Sequence, residues 1–172
     1  MVISPRLDPG VPVFSRGRYA GARRAAIVAM KEHGRTDLVA PLAVAVNAGL
    51  TRLLAWGIVA VPLIVVPAPT RRAAARRRGG DPVTALARTA AISEVFVVSA
   101  LRMRALTRDS VGLSPGQRER NIAGRVKVRT PVHGEVLLID DVVTTGATAR
   151  ESVRVLQTAG ARVTAVLAVA HA

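Results

Sequence analysis

The chain contains no cysteine. It therefore has no disulfide and no cysteine-ligated zinc site. Aromatic residues make up only 2% of its 172 positions, against 50% hydrophobic residues overall, so Val, Leu, Ile and Ala must fill the core of the one domain this length allows. Acids are scarce: 11 Asp and Glu face 25 Lys and Arg, a formal net charge of +14. That balance favours a polyanionic partner, either nucleic acid or a heavily phosphorylated small substrate. Surface arginine with no partner is the plainer alternative. The opening residues, Met1 to Gly10, lack the apolar stretch of a signal peptide, and a cytoplasmic location is expected. The long uncharged stretch from Leu53 to Thr70 is interrupted by Gly57, Pro62, Pro67 and Pro69, which splits it into a helix end and a strand rather than a membrane span. Neither the P-loop pattern nor a dinucleotide-binding GxGxxG occurs, so a P-loop NTPase or a Rossmann enzyme has no support. His33, His133 and His171 show no ligand spacing and read as surface residues.

What the chain does have is concentrated in Glu135 to Thr148, which reads EVLLIDDVVTTGAT. Four apolar residues, Val136 to Ile139, read as a strand buried on both faces. Two adjacent carboxylates follow, Asp140 and Asp141, and then a small-residue loop, Thr144-Thr145-Gly146-Ala147-Thr148. The pattern after the loop is helical and stops at Gly160. Open α/β sheets bind ligands at the carboxyl ends of parallel strands. The loop suits a phosphate, because small residues admit backbone N–H groups, Thr hydroxyls add donors and a helix N-terminus adds positive potential. Ionised carboxylates only accept hydrogen bonds, so the pair suits ribose hydroxyls. A ribose 5-phosphate has this layout of hydroxyls beside a phosphate.

Along the chain, residues 1–16 read as an extended arm and 17–172 as a single domain. A helix is predicted from Arg18 to Gly34, and a second, capped by Thr36 or Asp37, to about Trp56. Val61–Val66 reads as a buried strand. A basic loop spans Pro67–Gly80, and Asp81 caps a helix with Pro82 at its first position. Glu94–Leu101 reads as a second strand, Arg102–Gln117 as a polar segment, Ser114–Ile122 as a short helix and Arg125–Arg129 as a half-exposed strand. The helix of residues 147–159 and a last strand, Arg162–Ala170, complete the chain. Strands alternate with helices, which predicts a mostly parallel sheet with right-handed crossovers.

Residues 136–148 resemble the phosphoribosyl pyrophosphate (PRPP) motif of type I phosphoribosyltransferases. Further stretches resemble the ComF-like branch of that family, the competence-protein or amidophosphoribosyltransferase-like branch. They are Tyr19-Ala20-Gly21 with Lys31-Glu32, Val66-Pro67-Ala68-Pro69 with Arg76 to Asp81, Gly112-Leu113-Ser114 with Arg118 and Arg120-Asn121, and the closing strand of residues 160–170. The likeness covers residues 17–170. It implies the type I phosphoribosyltransferase fold, an α/β architecture with a mostly parallel central sheet flanked by helices and a small hood region. Many members of the branch begin with a four-cysteine zinc module, which this chain lacks. Gly80 and Asp81 stand where the branch has an aromatic residue and Asn, and Ser110 stands where it has Gln.

The resemblance implies that PRPP places its 5-phosphate in Thr144, Thr145, Gly146, Ala147 and Thr148 and its ribose hydroxyls on Asp140 and Asp141. Magnesium would then be held mostly by PRPP and water, with Asp140 and Asp141 acting on it indirectly. The reaction implied is displacement of pyrophosphate by a nitrogen acceptor through an oxocarbenium-like state. Thr70, Arg71 and Arg72, with Arg76 and Arg78, are the candidate pyrophosphate loop, because guanidinium groups match phosphate oxygens. Arg118 and Asn121 belong to a candidate lid. Lys31 and Tyr19 are weaker site candidates, read as a helix-surface Lys and a half-buried Tyr. In purine-specific members the place of Thr144 often holds an Asp that handles the base proton. A Thr cannot do so at neutral pH, which disfavours purine salvage.

Two rival readings use the same residues. One is a non-catalytic PRPP sensor or DNA-binding protein on this fold, linked to DNA uptake, which the +14 charge suits. The other is an inactive remnant of a longer enzyme.

Overall fold

The structure is a computed structural model and describes residues 1–70, 80–104 and 122–172. The candidate residues Arg71, Arg72, Arg76, Arg78, Arg118 and Asn121 lie outside the described residues, as does most of the polar segment Arg102–Gln117.

The described elements run β1 (Val2–Ile3), β2 (Val13–Ser15), α1 (Gly21–Glu32), a short 3-10 turn (Thr36–Leu38), α2 (Val39–Ala55), β3 (Leu63–Pro67), α3 (Pro82–Ala90), β4 (Val95–Val97), β5 (Leu101–Met103), β6 (Val126–Val128), β7 (Gly134–Val143), α4 (Ala147–Thr158) and β8 (Ala161–His171). Six strands form one sheet in the order β1-β2-β8-β7-β3-β4. Every pairing in it is parallel except β1 with β2. The fold is thus α/β with a mostly parallel central sheet flanked by helices, consistent with a type I phosphoribosyltransferase-like fold. β5 and β6 form a separate antiparallel ribbon.

Side-chain alternation along β7 divides the core. Leu137 and Ile139 point to one face, where Ile27 and Met30 of α1, Leu42, Val46, Leu50 and Leu53 of α2 and Leu86 of α3 pack. Val136 and Leu138 point to the other, toward Val153 and Leu156 of α4 and Val126 of β6. Val136 to Ile139 are essentially inaccessible. Each buried aliphatic side chain contributes about 1.5–3 kcal/mol, so β7 anchors both layers. Thr36–Ala55 is long and apolar enough to cross a membrane by length and composition. Here α2 packs one face into the core and leaves Val44 exposed on the other.

Several boundaries differ from the sequence reading. The strand expected at Val61–Val66 begins at Leu63, because Pro62 has no N–H to offer a ladder. Glu94–Leu101 is not one strand: β4 ends at Val97, Ala100 N–H turns back to the Val98 carbonyl, and β5 pairs with β6. Asp37 does not cap α2, because Arg35 holds both its carboxylate oxygens at 2.8 and 2.7 Å. β7 runs past Ile139 to Val143, because the eleven-residue β8 keeps supplying partners, Asp140 facing Ala168. Residues 1–16 double back, so that β1 pairs antiparallel with β2 and β2 lies beside β8. His171 is not simply on the surface: it is half-buried, with Nδ1 3.0 Å from Ser15 Oγ.

Candidate functional site

The site lies where β7 ends and α4 begins. Asp140 and Asp141 are both buried, at 8% and 2% exposure. One oxygen of each is held locally: Asp141 N–H donates to Asp140 Oδ1 at 2.8 Å, and Val142 N–H to Asp141 Oδ1 at 2.7 Å. Asp141 shares the sheet face of Leu137 and Ile139, the face covered by α1. Lys31 follows Ile27 by four residues on α1 and therefore points to the same place. Its Nζ comes within 2.8 Å of Asp141 Oδ2. That buried oxygen accepts no well-aligned hydrogen bond, so the contact is an ion pair first. Lys31, read from sequence as a surface helix residue, is thus part of the acid cluster. Its four-residue offset from a buried Ile was the available signal.

The electrostatics follow from this crowding. Burial pushes the Asp140 carboxyl well above the usual range, and the adjacent Asp141 charge adds to the rise, while Lys31 opposes it. Burial works to lower the Lys31 pKa, but Asp141 and, more weakly, Asp140 outweigh it and leave it raised. The cluster keeps one cation against two carboxyl groups, one of which favours its proton.

The loop meets the expectation of a compact turn. Gly146 is left-handed at φ 86° and precedes α4 as its N-cap residue, with no side-chain cap there. Thr145 is buried, and its Oγ1 accepts a long 3.4 Å bond from Ala147 N–H. Thr144 is exposed and Thr148 half-buried. The N-terminal segment meets the loop directly: Leu7 N–H donates to the Thr145 carbonyl at 2.9 Å. A Cβ at position 146 would collide with the Leu7 carbonyl and crowd Pro5, so Gly is required there for contact as well as for backbone angle.

Thr70 stands at the end of the segment that follows β3. Its Oγ1 donates to Asp81 Oδ1 at 2.6 Å, while Thr84 Oγ1 and Val83 N–H also donate to Asp81. Asp81 therefore caps α3 and ties Thr70 to the start of that helix. β3 and β7 are parallel neighbours, with Pro67 opposite Ile139, so Thr70 and Asp140 lie toward the same, carboxyl end of the sheet. The chain brings together Asp140, Asp141 and residues 144–148, with Thr70 on the adjoining strand end.

A magnesium cage made of protein groups does not fit these residues. Among the described residues no group of three or more His, Cys, Asp or Glu converges, and Asp141 already faces an ammonium. The donor set fits a cation held through substrate oxygens and water.

No protein-family model matches this chain. Over 44 residues, 26% of its length, it is 48% identical to an orotate phosphoribosyltransferase of Methylococcus capsulatus, covering 21% of that protein. Over a 44-residue stretch it is 52% identical to an orotate phosphoribosyltransferase of Polynucleobacter asymbioticus, covering 20% of it. The matched stretch spans about one fifth of these curated relatives. The likeness to orotate phosphoribosyltransferases is confined to this stretch of about a quarter of the chain.

Proposed function

We propose that this chain is a cytoplasmic, magnesium-dependent phosphoribosyltransferase of the ComF-like branch that transfers phosphoribosyl from PRPP to a nitrogen acceptor. The observation that carries the reading is the buried Asp140–Asp141 pair near the end of β7, just ahead of a Thr-Gly loop that opens α4. In this reading Asp140 and Asp141 accept the 2- and 3-hydroxyls of the ribose and favour positive charge developing at C1. The N–H groups and hydroxyls of residues 144–148 hold the 5-phosphate. Lys31 limits repulsion between the two carboxylates before substrate arrives. Thr70, with Arg71, Arg72, Arg76 and Arg78, binds the pyrophosphate that leaves. Arg118 and Asn121 close over the substrate and exclude water. Magnesium bound together with PRPP would supply positive charge to the leaving pyrophosphate, with Asp140 and Asp141 acting on it only indirectly. The relatives' name raises an anionic pyrimidine as one acceptor to test. The rival, a non-catalytic sensor or DNA binder linked to DNA uptake, draws support from the +14 charge.

The test is a comparison of two affinities. Replacing Asp140 and Asp141 together by Asn weakens magnesium–PRPP binding at least tenfold, about 1.4 kcal/mol, and leaves salt-titrated DNA binding equal or stronger, because negative charge is removed. Unchanged PRPP affinity would falsify the site assignment. Pyrophosphate release from PRPP with a panel of amines and bases then separates enzyme from sensor.

A further inference from the structure

We propose a second oxyanion pocket, one strand over from the acid pair, in which Arg88, Arg102 and Arg129 take up a phosphate or pyrophosphate group. A cavity of about 380 Å³ opens between α3, the end of β4 and the β5–β6 ribbon, lined by these three arginines with Thr70, Asp81 and Ser99 among others. The arginines arrive from three separate places. Arg88 continues the α3 stripe of Asp81, Thr84 and Ala85 at helical spacing. Arg102 is the outward residue of β5, between buried Leu101 and Met103. Arg129 follows β6, and its N–H is held by the Ala100 carbonyl at 2.7 Å, which fixes its base.

Three positive side chains thus line one concavity with one carboxylate, and that carboxylate is already engaged. Both Asp81 oxygens accept from Thr70, Thr84 and Val83. Among the described residues none of the three arginines pairs with an acid. The ribbon adds a second, independent sign: Arg102 sits directly opposite Lys127. Like charges across a strand pair oppose pairing, so this ribbon gains from an anion bound beside it. Guanidinium forks recognise phosphate oxygens in pairs, and the cavity suits a group of one or two phosphates rather than a polymer. The lining uses neither Asp140 nor Asp141, and it shares only Thr70 with the residues assigned to PRPP above. The phosphate has two sources: the diphosphate of PRPP reaching across Thr70, or a separate phosphate compound.

The probe is inorganic pyrophosphate, followed by calorimetry. Wild-type protein should bind it, and an Arg88→Gln/Arg129→Gln variant should bind at least tenfold more weakly with unchanged thermal unfolding. Arg102→Gln alone should give a smaller loss in the same direction. Arg52→Gln, on α2, should have no effect; an equal loss there means general basicity and overturns the pocket. Affinity within twofold of wild type in the double variant also overturns it. The Asp140→Asn/Asp141→Asn variant should keep its pyrophosphate affinity, so failure of the PRPP reading and failure of the pocket are told apart. Competition between pyrophosphate and PRPP assigns the pocket to the PRPP diphosphate, and simultaneous binding assigns it to a separate ligand.

Discussion

The Lys31 ammonium and the Asp141 carboxylate form an ion pair at 2.8 Å that ties the last turn of α1 to the end of β7. It joins two distant parts of the chain through the most polar point of an otherwise aliphatic layer. Its energetic weight is asymmetric, because Asp141 is 3% exposed at its side chain while Lys31 is 34% exposed.

Lys31→Met should therefore destabilise the fold by about 1–2 kcal/mol. A fully buried pair that loses one partner costs about 3–5 kcal/mol, and solvent screening at Lys31 reduces that. Urea unfolding measures the change. The double variant Lys31→Met/Asp141→Leu should recover most of the loss, since no lone charge then remains buried. Equal instability of single and double variants would show that Lys31 acts by packing alone.

Asp140 predicts a pH dependence. Its folded pKa lies above the ordinary 3.8, chiefly through burial. The folded state therefore holds this proton more tightly than the unfolded chain. The resulting stabilisation is complete below the unfolded value and is lost as pH rises from there through the folded pKa. Asp140→Asn removes this dependence. Its unfolding free energy should gain on wild type as pH rises from about 4 through the raised folded pKa, even as PRPP binding falls. Parallel pH profiles for the two proteins would contradict the assignment.

The contact between the N-terminal segment and the loop of residues 144–148 predicts two related losses. Gly146→Ala should cost at least about 1 kcal/mol from the left-handed backbone alone, and more because the new methyl meets Leu7 and Pro5. Leu7→Pro removes the donor to the Thr145 carbonyl and should cost about 1 kcal/mol. If the segment braces the loop, both variants also lose PRPP affinity. Full affinity in Leu7→Pro would leave the segment a purely structural role.

Asp81→Ala deletes the cap of α3 and the bond from Thr70 together. A lost N-cap costs about 1 kcal/mol. Thermal unfolding should drop by that amount, while Asp81→Asn should retain most of the cap. Pyrophosphate binding should weaken more in Asp81→Ala than in Asp81→Asn. The reverse order would detach Thr70 from anion binding.

Much of this was legible in the chain itself. The four-residue apolar run of Val136–Ile139 announced a buried strand because both faces of β7 are covered. Asp81-Pro82 announced the start of α3 because Asp at the cap and Pro at the first position solve the same problem of orphan N–H groups. Other elements were not legible. Val13–Ser15 is only three residues long, and its pairing partner lies some 150 residues away in Val166–Ala168. Glu94–Leu101 looked continuous because nothing local marks the turn at Ala100 that hands the chain from one sheet to another.

By itself the sequence determined the local events: which runs are buried, where helices begin, and that two carboxylates stand directly before a small-residue loop. These depend on side-chain periodicity and backbone chemistry over a few residues. Only the tertiary structure decided what faces the carboxylates and the loop. Lys31 reaches Asp141 because α1 crosses the sheet face of Leu137 and Ile139, and Leu7 reaches Thr145 because β2 lies beside β8. Arg88, Arg102 and Arg129 share one cavity because the β5–β6 ribbon folds back beside α3. None of these pairings has a local signal, because each is set by packing between elements far apart in the chain.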